Sequence, residues 1–421
     1  MKNNKRIVTG IDIGTTKIAV IIAEIQENNK SVNIIGFGYS KSNGLRRGII
    51  EDIVKTSKSI EKALKEAENQ AEIEIESAYV GITGEHVKGI NCTGAITISN
   101  NEYKDPAGEK ISSKDIQKVL EHAQAINLST DRKILHTLSK EFKVDNRRNI
   151  KNPEGLSGHR LEATVHLVTI ARNIERDLKT CLEKVGIHFD GFILEPLASA
   201  YSVLDSNEKN LGIALIDIGG GTSDIIVYYN NSILHTGAIP LGGENITRDI
   251  AYGIKTTLEQ AEIIKCEYGL AKESLATEED DIIIKGTNGR DDLNVSQKEI
   301  SQIIEARMKE IFHLAKNEIN TADFEGMLNF GIVITGGGSK LNNTVDLAQE
   351  IFKVDVKLGE PHSINGLNDI INNPRYATTI GLIKYVSEND NIEIDRDEDE
   401  MDLISTIKNN FKKFIKYLNI K

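Results

Sequence analysis

The chain has 421 residues, 39% of them hydrophobic, and a formal net charge of −12. That length exceeds one ordinary domain and predicts two or more lobes, while the negative balance argues against a general nucleic-acid surface, which needs dominant clusters of Lys and Arg. Cys92, Cys181 and Cys266 stand far apart with no CxxC pair, so a reducing, cytoplasmic compartment is expected.

The basic start, Met1 to Arg6, runs into an apolar stretch broken by Asp12, Thr15, Thr16 and Lys17, which cannot serve as a signal-peptide core. No apolar run reaches transmembrane length, and the protein is expected to stay inside the cell. Strands are predicted at 6–13, 17–25 and 32–38. A helix follows at 52–70, from the spacing of Ile53, Ile60, Ala63, Leu64 and Ala67, and then a strand at 77–83. This βββαβ order opens an α/β lobe. Residues 85–162 interrupt it as an inserted subdomain: a strand at 95–99, a polar turn at 105–108, a helix at 113–125, the segment 134–144 and a Pro/Gly-rich loop at 152–158. A strand at 161–170 ends this piece, and the lobe resumes with a helix at 173–185, a strand at 191–194 and a helix at 196–204. The second lobe reads as strands 213–217, 225–229 and 232–239, helices 246–252 and 258–268, an acidic stretch at 278–281, a helix at 297–320 and a strand at 331–335. The last ordered element is a helix at 377–386.

Three turns carry the chemistry. Ile11-Asp12-Ile13-Gly14-Thr15-Thr16-Lys17, Ile216-Asp217-Ile218-Gly219-Gly220-Gly221-Thr222 and Val333-Ile334-Thr335-Gly336-Gly337-Gly338 each end a short apolar strand. Glycines there let backbone N–H groups close on an anion, and an Asp at the strand end can hold Mg²⁺ through water. The first two turns each lead into a returning strand and read as duplicated β-hairpins facing one another. Any one of them alone could be an ordinary turn; the three together imply a nucleotide held between two related halves. Thr15, Thr16 and Lys17 offer hydroxyls, backbone N–H groups and an ammonium to a terminal phosphate, and Gly219 to Thr222 would grip the same phosphates from the other side.

Gly242-Gly243 opens a helix whose positive end adds N–H donors, or is simply a helix start. Glu262 and Lys265 share a helical face and could reach a ribose or base edge, or could form an exposed ion pair. Glu195, just before Pro196, could orient a water for attack on a γ-phosphate, or could cap its helix. Neither a GxxxxGK[ST] loop nor a GxGxxG fingerprint occurs at these turns, which disfavours P-loop and Rossmann readings.

In this order, Asp12 to Lys17, Glu195 to Leu204, Asp217 to Thr222, Gly336 to Gly338 and Ala377 to Tyr385 resemble the five segments of the actin, Hsp70 and sugar-kinase ATPase superfamily. The resemblance implies an α/β, actin-like (ribonuclease H-like) fold of duplicated lobes around a nucleotide cleft. It also implies ATP and Mg²⁺ as ligands, with Asp12 and Asp217 as water-mediated metal ligands and Glu262 and Lys265 on an adenosine-contacting helix.

The tail narrows the choice. From Glu388 to Glu400 there are eight acids and one Arg, a self-repelling linker. Beyond it Leu403, Ile404, Ile407, Phe411, Phe414, Ile415 and Leu418 fall on one helical face, with Lys408, Lys412, Lys413 and Lys416 on the other. Spanning a bilayer would bury each lysine at roughly 2.5–3.5 kcal/mol. Lying flat on an anionic membrane surface gains about 1 kcal/mol per lysine instead, so surface binding is favoured. A terminal helix packed on its own core or on a partner is the rival reading.

An actin-type ATPase with such an insert and such a tail is similar to the FtsA family of bacterial cell-division proteins. Gly81-Ile82-Thr83-Gly84-Glu85-His86 and the run Ala214 to Asp224 carry that resemblance as well. It divides the chain into subdomain 1A (1–84 and 163–210), the inserted 1C (85–162), 2A (211–240 and 315–374), 2B (241–314), a helix returning to 1A (375–386), the linker (387–400) and a C-terminal amphipathic membrane-targeting helix (401–421). It implies polymerisation, tethering of the tubulin-like protein FtsZ to the cytoplasmic face of the membrane at the division site, and recruitment of later division proteins, with at most slow ATP hydrolysis. A PilM-like component of type IV pilus assembly shares the lobes and a comparable insert, but should lack the lysine-flanked terminal helix. A chaperone-type or kinase enzyme of the same fold would use the cleft for turnover.

Overall fold

Continuous apolar runs build two five-stranded sheets of one topology. The computed structural model describes residues 5–26, 28, 30–98, 108–277, 281–284, 291–322 and 328–389. The first sheet is ordered Val32–Lys41, Lys17–Gln26, Lys5–Ile13, Ser77–Ile82, His188–Leu194. The second is ordered Ser232–Ile239, Ser223–Tyr229, Ile213–Ile218, Ile332–Thr335, Val356–Leu358. In each, the first three strands pair antiparallel and the last two add in parallel. Ile213–Ile218 is buried at every position, as a strand covered on both faces must be.

The predicted helix at 52–70 is Ile53–Ala71, started by Asp52, whose carboxylate accepts from the Lys55 N–H, and ended by Glu72 in the left-handed region. Helices Glu195–Val203 and Ala377–Glu388 lie between the lobes, buried along almost their whole length. Their crossing is close enough that a Cβ on Gly381 would collide with the Ala198 carbonyl. A central core joins these helices to residues of both sheets, and each lobe has a further core of its own.

The insert is a four-stranded antiparallel sheet, Arg147–Ile150, Arg132–Val144, Arg160–Ala171 and Lys88–Thr97, packed on helix Ser113–Gln124. Ser112 and Asp115 form a capping box at the start of that helix. Its core of Ile116, Val119, Phe142, Leu161 and Val165 is separate from the others. The strand Lys88–Thr97 starts well before the predicted position 95: half its positions are exposed and Gly89 and Gly94 interrupt the apolar pattern, so no period marks its start. Gly94 has to be small, since a Cβ there would collide with the backbone of the insert's helix at Val119 and Ala123.

The chain links the insert to the first lobe, yet it also docks on the outer strand of the second sheet through polar groups. His166 Nδ1 lies 2.8 Å from Asn91 Oδ1, and its Nε2 lies 2.8 Å from Thr236 Oγ1. Asn91 Nδ2 and Lys140 Nζ donate to the Leu234 carbonyl at 3.3 and 3.4 Å. Leu234 falls at a register shift in the pairing of Ser232–Ile239 with Ser223–Tyr229. Burial first, then the charges of His235 and Lys140, depress the His166 pKa to about 3, so the imidazole is neutral.

The sequence pattern left unread the short hairpin Leu45–Arg46 with Ile49–Ile50, the helix Thr344–Phe352 and the strand Val356–Leu358. Residue 99, the turn at 105–107, the acids at 278–280, most of the linker and the helix at 401–421 lie outside the described residues. Among the described residues no helix is long and apolar enough to cross a membrane.

Candidate functional site

The two Asp-Gly hairpins meet at the floor of a cleft between the sheets. Each loop is four residues closed by the same bond: the Gly14 N–H donates to the Lys17 carbonyl and the Gly219 N–H to the Thr222 carbonyl, both at 2.9 Å. The loops interlock, since a Cβ on Gly220 would collide with Thr16 and one on Gly221 with Thr15. Asp12, Gly14, Thr15, Thr16, Lys17, Glu195, Asp217, Gly219, Gly220, Gly221, Thr222, Gly336 and Gly337 all line this one cleft. Gly336 is left-handed, with φ of +85°, and a Cβ there would collide with the Asp217 carboxylate, so only glycine brings the third turn this close.

Four acids converge on the floor: Asp12, Glu195, Asp217 and Asp224. Asp12 is ion-paired to Lys17 of its own loop and accepts from Thr379 Oγ1 at 3.3 Å. Asp217 accepts from Ser199 Oγ at 2.6 Å and from Thr378 Oγ1 at 3.1 Å. Asp224, directly opposite Asp217 in the hairpin register, accepts from Thr83 of the first lobe. Burial raises the Glu195 carboxyl well above the ordinary range, and the charges of Asp12, Asp224 and Asp217 raise it further. Burial likewise raises Asp217, against the hydroxyls of Ser199 and Thr378. Asp224 is raised to about 7, burial and Asp217 outweighing its bond from Thr83.

Among the described residues, no group of three or more His, Cys, Asp or Glu side chains is placed to hold a metal ion directly. The arrangement fits a Mg²⁺–polyphosphate: a buried excess of carboxylate needs a cation, and glycine turns that a Cβ would obstruct leave backbone N–H groups close to an anion.

Gly242, Gly243, Glu262, Lys265 and Gly338 stand behind this floor rather than on it. The N–H groups of Gly243 and Glu244 donate to the Gly219 and Gly220 carbonyls at 2.9 and 2.8 Å, so the helix start buttresses the second loop. Lys265 Nζ bonds Glu262 at 2.7 Å, Thr247 Oγ1 at 2.9 Å and the Gly243 carbonyl at 3.1 Å. These two residues therefore pair with each other beneath the second loop. Asp224, Thr83, Ser199, Thr378, Thr379 and Arg375 were missed as site residues. Only Asp224 had a local signal, an acid seven positions after Asp217 and so across a hairpin with a four-residue loop.

Residues 214–381 match the family profile described as Cell division protein FtsA, and residues 84–169 match the SHS2 domain inserted in FTSA. The cell division protein FtsA of Pseudomonas aeruginosa is 38% identical over 380 residues, covering 90% of this chain and 89% of that protein. That of Borreliella burgdorferi is 35% identical over 386 residues, covering 91% and 92%. That of Escherichia coli K12 is 33% identical over 392 residues, covering 91% of each.

Among solved structures, the PilM–PilN type IV pilus biogenesis complex superposes with a TM-score of 0.63 at 15% identity, covering 89% of this chain and 97% of that one. MreB 5 of Spiroplasma citri bound to AMPPNP superposes with a TM-score of 0.52 at 14% identity, covering 90% and 96%. Those likenesses carry the actin-like fold alone. The sequence relatives and the matched insert carry more, and by them the chain belongs to the FtsA family of actin-like cell division proteins.

Proposed function

We propose that this protein binds ATP and Mg²⁺ between its lobes, self-associates into filaments, and tethers FtsZ to the cytoplasmic face of the membrane at the division site through residues 401–421. The insert would recruit later division proteins. The observation that carries the nucleotide reading is the facing pair of four-residue loops, closed by the same hydrogen bond, with Asp12 and Asp217 at their roots. Support for the membrane reading is the lysine-flanked apolar face of the tail.

In this reading the N–H groups of Gly14 and of Gly219 to Gly221, with the hydroxyls of Thr15, Thr16 and Thr222, take the phosphates, and Lys17 adds a cation. Gly336 to Gly338 approach the adenosine, backed by Gly242, Gly243, Glu262 and Lys265. Asp12 and Asp217 hold Mg²⁺ through water, and the metal when bound screens charge on the phosphate oxygens. Glu195 would orient a water. Burial first, and then the charges of Asp12, Asp224 and Asp217, hold its carboxyl well above the ordinary range. A role in pilus assembly is supported only by fold likeness, which does not by itself carry function.

Deleting residues 403–421 should abolish co-sedimentation with anionic liposomes and leave ATP binding intact; unchanged lipid binding would remove the tether. Asp12→Ala with Asp217→Ala should abolish Mg²⁺-dependent ATP affinity in calorimetry.

A further inference from the structure

Arg375 lies outside all three glycine turns, in the single turn Pro374–Tyr376 before the last helix. Among the described residues it is, with Lys17, one of two cations lining a cleft floored by four acids. Lys17 is committed to Asp12. Arg375 has no carboxylate partner among the described residues; its Nη2 donates to the Tyr39 hydroxyl at 2.8 Å, and its guanidinium lies 4.9 Å from the centre of that ring.

Two attachments fix its place. Tyr39 belongs to the first lobe's strand Val32–Lys41, and its N–H donates to Glu66 Oε2 at 2.9 Å. On the other side, the turn carrying Arg375 is stitched to the third glycine run. The Gly336 N–H donates to the Pro374 carbonyl at 3.2 Å, and Asn373 Oδ1 accepts from Lys340 Nζ at 3.3 Å and from the Arg375 N–H at 3.2 Å. A Cβ on Gly337 would stand 3.7 Å from Arg375 Cγ, so the arginine stem runs along the glycines. A planar, permanently charged fork held by both lobes beside an acid-lined cleft is suited to an anion, because its charge does not depend on pH and its orientation is set in advance.

We propose that Arg375 is a further nucleotide-binding residue that contacts the phosphate chain rather than the base, with Tyr39 as its positioning residue. The proposal rests on the reading of the cleft as a nucleotide site. It explains how an anion is admitted among four acids: Lys17 shares its charge with Asp12, and Arg375 adds a second cation that no carboxylate meets among the described residues.

Displacement of a fluorescent ADP analogue from the full chain by ADP and by adenosine tests it. Arg375→Ala should weaken ADP at least about tenfold and leave adenosine unchanged, and Arg375→Lys should restore part of the loss. Tyr39→Phe keeps the ring and removes the hydroxyl, and should weaken ADP only a few-fold. Arg375→Ala binding ADP as tightly as wild type, or losing ADP and adenosine alike, would overturn the proposal while the cleft remained a nucleotide site. Wild-type protein that bound no adenine nucleotide would remove both.

Discussion

The two hairpins share a backbone and differ in charge. Seven residues past its aspartate, the first carries Ala19 and the second Asp224; at the closing position of the loop, the first carries Lys17 and the second Thr222. Asp12 thus has a cation within its own turn, whereas Asp217 receives hydroxyls from the two buried helices and faces another acid. Duplicated geometry does not require duplicated electrostatics. One half carries its own counter-charge as folded, and in the other two facing carboxylates are met by hydroxyls.

The sharpest way to break that contrast is Lys17→Met, which strands the Asp12 carboxylate in a nearly dry site. Urea unfolding of the nucleotide-free protein should show a loss of about 3–5 kcal/mol, and a loss below about 1 kcal/mol would mean that the halves treat their aspartates alike. Ser199→Ala removes one of two hydroxyls from Asp217 and should cost less, about 1.5–3 kcal/mol. The smallest effect is a slope. Asp224 titrates at about 7 when folded, against 3.8 as its ordinary value, so between these the native state holds a proton that the unfolded state has released. Stability from this group is complete below about pH 4 and is lost as the pH rises through about 7. Asp224→Asn should flatten the melting temperature across that window, and an unchanged slope would place the titration elsewhere.

Much of this was legible in the sequence, because the hairpins announce themselves by periodicity and glycine. Helix 297–320 and strand 232–239 fall where the apolar spacing puts them. What local pattern could not supply were partners brought by folding: Thr83 lies 141 residues from Asp224, and Thr379 lies 367 from Asp12. Ser199 and Thr378 are short hydroxyl side chains in helices where most positions are small or apolar, so their local pattern reads as packing. Short elements such as Val356–Leu358 carry too few residues for a period to emerge.

The irregularity at Leu234 has a consequence for the life of the molecule. A sheet's last strand is a template for any other chain with unpaired backbone, and native proteins blunt such margins by distorting or covering them. Here the distortion turns one carbonyl outward and the insert's Asn91 and Lys140 occupy it. The insert therefore shields this margin, and a variant shorn of it would be prone to aggregate through the bared strand.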